Sequence, residues 1–484
     1  MHSRHRGPDI HTMPLSPPRL IVTALRGGSG KTILSLGLTA AWTEEGRRVA
    51  SFKKGPDFID PGWLSLAAGD TCHNLDAFMM DRACMLRSFL HHARNADIAL
   101  IEGNRGLFDG VDQEGSCSSS ELARMLRAPA VLIVDVTMTT RTIAAVVMGC
   151  QRFEPDLDLK GVILNRVGGT RQEAVARSAV EHYCEVPVLG SVRKIKENRF
   201  PERHMGLIPH QERGRAQEAV AWARAIVRES LDLNALWKLA GEAPPLDEPP
   251  GASSSTERPG VPPDATRPRI GFVLDNAFWF YYPENLTELE SRGAELVQVN
   301  SLRDEHLPDL DALYIGGGFP ETQAERLAAN HAFRDDLRMK IEEGLPVYAE
   351  CGGLMVLGEH LVVNGTSYSM AGVLPVDFVL EKKPQGHGYT VLEVENENPF
   401  YERGTILRGH EFHYSRPIVR SERNLRTACR VRRGRGFNGS VDGLCKKNLL
   451  GLYTHVHALG TPVWADRLVE KARAFSRAER SKFL

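Results

Sequence analysis

The sequence predicts two sequential α/β domains, the first a parallel sheet wrapped by helices, on three observations. From Arg19 onward, short β-branched runs alternate with longer amphipathic stretches, the pattern of strands joined by crossover helices. Residues 241–268 interrupt this with proline, glycine, serine and acids, and the same rhythm restarts at Ile270. The 484 residues also exceed what a single hydrophobic core usually organises.

Met1 to Pro18 is rich in histidine, arginine and proline and lacks the apolar stretch of a secretory signal. It is expected to be a disordered leader, with Met13 as an alternative start. The first domain, residues 19–240, has expected strands at 20–24, 48–52, 98–102, 130–134 and 161–164. Several end on polar residues, and ligands gather at the carboxyl ends of strands in an open parallel sheet. Residues 241–268 bury too little apolar surface to offset chain entropy and are expected to be a linker. The second domain, residues 269–475, has expected strands at 270–274, 312–315, 346–349 and 449–453.

With a net charge of -1, the chain has no general attraction to nucleic acid or anionic membrane. The arginines of 416–435 alternate with apolar residues such as Ile418 and Val431, which fits a solvated strand face. Eight cysteines, at 72, 84, 117, 150, 184, 351, 429 and 445, include no CxxC pair, so neither a zinc knuckle nor a disulfide framework is indicated. Apolar runs such as 128–134 stop far short of membrane-spanning length. These features predict a soluble cytoplasmic protein with a small-molecule partner; a homodimer is compatible with them.

The first strand runs into Leu25, Arg26, Gly27, Gly28, Ser29, Gly30, Lys31 and Thr32, and a helix-compatible stretch follows. A strand, glycines and Lys-Thr opening a helix aim backbone N–H groups at phosphate. Gly28 and Gly30 would shape the cradle, Lys31 would neutralise the outer phosphates, and Thr32 would put a hydroxyl on magnesium. Leu25 and Ala24 depart from the usual glycine of such loops; the competing reading is a glycine turn with an incidental lysine.

Acids follow other strands of the same domain. Asp57 and Asp60 lie in KKGPDFID, Asp76 in NLD, and Glu102 and Asp109 in EGNRGLFDG. Oxygen ligands beside a phosphate loop suit magnesium, with Asp57 and Glu102 ahead of Asp60 and Asp109. Lys53, Lys54 and Asp76 are candidates to meet an anionic substrate or the metal. Asp and Gly in loops are also ordinary turn residues. Asn165 is placed for recognition of a nucleotide base or for a loop cap.

In the second domain, PVYAECGGLM reads as strand, sharp turn and helix with Cys351 at the elbow. A helix N-terminus lowers a thiol pKa and offers N–H groups to an oxyanion, so an exposed, activated nucleophile is expected there. Strand alternation puts His455 and His457 on one side, either able to serve as base, with His455 preferred. Gly317 and Gly352 would supply oxyanion N–H groups, while His410 and His413 are expected to be structural.

These motifs together resemble the cobyrinic acid a,c-diamide synthase family from Arg19 to about Arg473. The stretches carrying the resemblance include SGKT, FKKGPDFIDPGW, EGNRGLFDG, AFWFYYPENL, YIGGGFPE, AECGGLM, RGHEFHYS and YTHVH. The resemblance implies a P-loop, dethiobiotin-synthetase-like ATP domain followed by a class I, triad-type glutamine amidotransferase domain. It implies Cys351 as nucleophile, His455 as its activator, and nucleotide with Mg2+ at Gly30, Lys31, Thr32, Asp57 and Glu102. The implied reaction uses ATP and L-glutamine to amidate the a and c carboxylates of a tetrapyrrole, cobyrinic acid, through acyl phosphates. Lys53-Lys54 with Trp63 is similar to a branch acting on sirohaem, and that substrate is the alternative. His457 stands where many such amidotransferases have glutamate, which leaves the third catalytic member unassigned. A P-loop switch ATPase with an inactive amidotransferase module is the non-enzymatic alternative, and the intact Cys351 and His455 argue against it.

Overall fold

A computed structural model of the chain describes residues 17–195, 202–203, 206–207, 213–247, 267–421 and 425–481. Most of the expected leader, residues 1–16, and residues 248–266 of the expected linker lie outside the described residues. The chain divides into two compact units, one of residues 1–77 and 82–255, the other of residues 78–81 and 256–484.

The first unit alternates strand and helix: β1 (Arg19–Ala24), α1 (Lys31–Glu44), β2 (Val49–Lys54), α2 (Ile59–Ala68), β3 (His73–Leu75), α3 (Arg82–Ala93) and β4 (Ile98–Glu102). It continues with α4 (Ser119–Met125), β5 (Ala130–Asp135), α5 (Thr142–Phe153), β6 (Leu159–Val167), α6 (Thr170–Cys184) and β7 (Val188–Arg193). A short hairpin of β8 (Glu202–Arg203) and β9 (Gly206–Leu207), then α7 (Arg213–Ser230) and α8 (Leu233–Gly241), complete it. The seven-stranded sheet runs β3-β2-β4-β1-β5-β6-β7, and all its pairings are parallel. Leu20, Val22, Leu100, Ile133 and Ile163 of the sheet bury against Leu34, Leu38 and Trp42 of α1. Each such large apolar side chain is worth about 1.5–3 kcal/mol when fully buried. That core fixes the helix that carries Lys31 and Thr32.

The second unit opens with β10 (Arg269–Val273), β11 (Phe278–Phe280), α9 (Pro283–Ser291), β12 (Glu295–Val299), β13 (Ala312–Ile315) and β14 (Gly317–Gly318). Then follow α10 (Ala324–Ala329), α11 (His331–Glu343), β15 (Val347–Glu350), α12 (Gly352–Val356), β16 (His360–Val363), β17 (Thr366–Ser369) and β18 (Val376–Leu380). The last elements are β19 (Gly386–Val394), β20 (Ile406–His413), β21 (Ser415–Val419), β22 (Arg426–Arg433), β23 (Val441–Lys446), β24 (Leu449–Leu452), β25 (His455–Val456) and α13 (Val463–Ser481).

Its main sheet runs β12-β10-β13-β15-β24-β23-β22-β19-β20-β25. The first five strands are parallel, but β24 turns antiparallel onto β23 and the remainder continues in hairpin fashion. The second domain is thus α/β as expected, with a mixed sheet whose parallel half continues into antiparallel strands. The arginine-rich stretch forms strand β22, whose Arg432 and Arg430 reach Glu393 and Glu395 beside them. One face of the main sheet buries Leu313, Val347 and Leu449, and the other buries Tyr314, Tyr348 and Trp464 of α13. That helix continues to Ser481, beyond the expected end at residue 475. Among the described residues no helix is long and apolar enough to cross a membrane.

Candidate active sites

The phosphate loop of the first unit is built on backbone that favours glycine. Gly28 has φ 70° and Gly30 has φ 91°, in the left-handed region that L side chains rarely adopt. A Cβ on Gly30 would stand 2.6 Å from Asn165 Nδ2, which donates to Ser29 O at 2.8 Å. Asn165 therefore braces the loop, the cap alternative. Arg166 adds a second brace, donating to Gly28 O at 2.9 Å and pairing with Asp135 at 2.7 Å. Helix α1 begins with Gly30 as its N-cap and has no side-chain cap bond, which leaves first-turn N–H groups to point at a ligand. Lys31 Nζ donates to Arg26 O at 3.0 Å and Arg105 O at 2.7 Å. Burial, and next the neighbouring Lys53, lower its pKa to about 8.

Below the loop, register pairs Lys53 of β2 with Glu102 of β4. Lys53 Nζ lies 2.7 Å from Glu102 Oε1 and 2.6 Å from Asp60 Oδ2. Thr32 Oγ1 donates to Glu102 at 2.8 Å and to Asp60 at 3.3 Å. Among the described residues the buried Glu102 Oε2 has no hydrogen-bond partner. Burial pushes this carboxyl up to about 7, with Lys53 pulling the other way. An open anionic oxygen beside a hydroxyl and a second carboxylate fits a hard cation such as magnesium.

These residues line a cleft of about 720 Å³, which Asn104, Arg166, Arg193, Lys194 and Trp222 also border. The ranking of the acids changes. Asp57 lines the cleft, but its Oδ1 is engaged by the N–H groups of Ile59 at 2.7 Å and Asp60 at 3.2 Å. The acid that meets Thr32 is Asp60. Burial, and next Asp60, raise Asp57 to about 6. Asp109 accepts from Gly106 N at 3.0 Å, the turn role. Lys54 and Asp76 are buried together, apart from the residues lining the cleft.

In the second unit Cys351 follows β15 with φ 47° and ψ −101°, a strained conformation of the kind found at nucleophile elbows. Its N–H donates to Leu452 O at 2.7 Å, fixing the elbow beside the end of β24. The thiol contacts Phe412 O of β20 at 3.8 Å. His455 of β25 stacks on His410 of β20 at 5.1 Å between ring centres. A Cβ on Gly317 would meet His455 Cε1 at 2.4 Å and Nε2 at 3.1 Å, so the ring edge carrying Nε2 faces this glycine. Gly352 packs against Gly318 in the same way, its would-be Cβ 3.1 Å from Gly318 N. Thiol, imidazole and both expected oxyanion glycines thus belong to one neighbourhood.

Two expectations for this site are corrected. Cys351 is only 3% exposed, and burial, followed by Glu321, pushes its thiol up, so an exposed and activated thiolate is not what the fold makes. Helix α12 has only five residues and lends little dipole to oppose that burial. His455 and His457 do not share a strand face, because β25 ends at Val456. His457 instead packs on Tyr282, with Nε2 3.5 Å from Glu284. His413 Nδ1 lies 2.9 Å from Ser415 O, and His410, stacked on the His455 ring, has its Nδ1 3.4 Å from Tyr282 Oη, so both are packed side chains with hydrogen-bond partners.

Sequence reasoning passed over Glu350, whose Oε2 is 3.2 Å from His455 Nδ1. The available signal was its place at the end of the strand that leads into Cys351. Burial pushes Glu350 up to about 8 against the pull of bonds from Val456 and Tyr314, and it lowers His455 to about 3. Burial thus disfavours the charged form of both groups.

Residues 269–463 match the family model for a CobB/CobQ-like glutamine amidotransferase domain, and residues 20–208 match that for a CobQ/CobB/MinD/ParA nucleotide binding domain. The cobyrinate a,c-diamide synthase of Magnetococcus marinus is 44% identical over 94% of this chain and 97% of its own length. The protein of the same name from Archaeoglobus fulgidus is 42% identical over 95% of this chain and 98% of its own. That from Dehalococcoides mccartyi strain CBDB1 is 38% identical over 95% and 99% respectively.

Proposed function

The chain belongs to the cobyrinate a,c-diamide synthase family and is a glutamine-hydrolysing ligase; from that premise we propose the residues and steps by which it converts the a and c carboxylates of cobyrinic acid into carboxamides. The observation that carries this reading is the cluster of Thr32, Lys53, Asp60 and Glu102 beneath the phosphate loop. Glutamine hydrolysis alone has no use for it, whereas activation of a carboxylate does.

In the first unit the N–H groups of Gly28 to Thr32 and the Lys31 ammonium hold the phosphates of ATP. Thr32, Asp60 and Glu102 are the residues that would hold magnesium, with Asp57 beside them; bound there, the ion neutralises charge on the phosphates. Lys53 faces the transferring group. A substrate carboxylate oxygen attacks the γ-phosphorus, the bond to the bridging oxygen breaks, and ADP leaves an acyl phosphate. This step is needed because a bare carboxylate offers no acceptable leaving group. Ammonia then attacks the acyl carbon, phosphate departs, and the nitrogen loses a proton to give the amide.

In the second unit Cys351 attacks the side-chain carbonyl carbon of glutamine while His455 takes the thiol proton. Because burial disfavours both the thiolate and the imidazolium, proton transfer accompanies attack. N–H groups of the Gly317 and Gly352 segments steady the oxyanion. His455 returns the proton to the departing ammonia, and water clears the glutamyl thioester as glutamate. The cytoplasm is the compartment we propose, in keeping with eight free cysteines.

The test is to incubate the protein with ATP, magnesium, glutamine and either cobyrinic acid or sirohaem, and to weigh the products. Two carboxylates of cobyrinic acid should become carboxamides in step with ATP consumed. Amidation of sirohaem alone would overturn the choice of substrate, and ATP turnover without any amide would overturn the synthesis.

A further inference from the structure

A base in a nucleophile-histidine pair works only if something fixes its tautomer and the plane of its ring. The residue two places beyond the histidine cannot do so here, since His457 packs on Tyr282 and points its Nε2 toward Glu284. The sheet register supplies another carboxylate. Strand β15 pairs with β24 so that Glu350 lies opposite Leu452, which brings the last residue of β15 beside the segment leaving β24.

Glu350 is 1% exposed and both its oxygens are used. Oε2 lies 3.2 Å from His455 Nδ1 and accepts from Tyr314 Oη at 3.1 Å, and Oε1 accepts from Val456 N at 3.2 Å. Tyr314 is itself held by Asn285 Nδ2 at 3.3 Å. The tyrosine hydroxyl and the Val456 amide bring protons to this carboxyl, and the imidazole completes the pattern by donating from Nδ1.

We propose that Glu350, the residue immediately before the nucleophile, is the third member of the glutaminase site: a positioning residue that holds the proton of His455 on Nδ1 and leaves Nε2 to receive the thiol proton. The proposal rests on the reading of Cys351 and His455 given above. Glutamine at this position could satisfy only half of the arrangement. With its oxygen toward Val456, its NH2 group faces Nδ1 and favours the tautomer protonated on Nε2, which cannot act as base. With its oxygen toward Nδ1, two N–H donors oppose one another at Val456.

The experiment measures glutaminase kcat and KM, and ammonium-supported synthesis, in the full chain. Glu350→Gln should lower glutaminase kcat by about 100-fold or more, in the range general-base catalysis contributes. Its KM for glutamine should stay near wild type and synthesis from ammonium should persist. Glu350→Asp, which keeps the carboxyl group but shortens the side chain, should lose less. A kcat within about threefold of wild type in Glu350→Gln overturns the proposal. If that variant does not fold, wild-type kcat in Glu350→Asp together with wild-type kcat in Tyr314→Phe overturns it instead. Cys351→Ala and His455→Ala are measured alongside: if they keep glutamine-supported activity, the underlying site is misread, and that outcome is distinct from a failure confined to Glu350.

Discussion

Replacing Gly30 with alanine tests the phosphate loop at its tightest point. Gly30 sits at φ 91°, and holding an L residue in left-handed backbone costs roughly 1–2 kcal/mol. The added Cβ would fall 2.6 Å from Asn165 Nδ2, so this amide must move and give up its bond to Ser29 O. A lost intramolecular hydrogen bond of this kind adds about 1 kcal/mol. The total of about 2–3 kcal/mol acts on the loop, because the rest of α1 is held by Leu34, Leu38 and Trp42. At about 1.4 kcal/mol per tenfold, the binding-competent loop becomes roughly 30- to 150-fold rarer. Titration of ATP by calorimetry should show affinity reduced by that factor, while glutaminase activity, which belongs to the other unit, stays unchanged. Wild-type ATP affinity in Gly30→Ala would refute the reasoning, since neither the backbone angle nor the Asn165 brace would then matter to the nucleotide.

Cys351→Ala should abolish glutamine-supported amidation and retain synthesis with ammonium, whereas Lys31→Ala should lose synthesis with both donors and keep glutaminase; product mass and glutamate release distinguish them. The Lys31 ammonium is present below about pH 8 and lost above it, so ATP affinity of the free protein should weaken as pH rises through that value. A flat titration curve across it would contradict the buried setting of Lys31. Asp60→Ala should raise the magnesium concentration needed for half-maximal synthesis by about tenfold or more, the loss expected of a metal-site carboxylate or its support. Asp57→Ala should chiefly lower the melting temperature, because its Oδ1 is taken up by two backbone amides at the start of α2. Equal magnesium dependence in the two variants would undo that assignment.

Much of this was legible in the residues, and the rest was not for identifiable reasons. The expected strands of the parallel layers carry continuous apolar runs and coincide with observed ones, although β6 extends to Val167, while β7 and β12, at Val188–Arg193 and Glu295–Val299, were not expected at all. Strand β3, His73–Leu75, has no such run, so it went unread. The arginine stretch was legible as a strand face, but its antiparallel pairing into the second sheet was not, because Arg426–Arg433 meets its neighbours β19 and β23 through backbone register that no local pattern encodes. Asp57 and Asp60 are both acids just past a strand, and only the turn into α2 decides which carboxylate is consumed by backbone amides. Exposure of Cys351 was misjudged because burial depends on β20 and β24, which are distant in sequence. Glu350 needed the register between β15 and β24, information that no local pattern holds.

The same register bears on synthesis of the chain itself. Strand β24 lies beside β15, although nearly a hundred residues of hairpins separate them in sequence, and it supplies both the carbonyl that anchors the Cys351 elbow and the stretch leading to His455. A nascent polypeptide truncated before β24 possesses the sulfur but neither its anchor nor His455. On the proposed assignment such fragments cannot hydrolyse glutamine, and that competence arrives only when the long-range strand pairing, the slow part of folding, has closed.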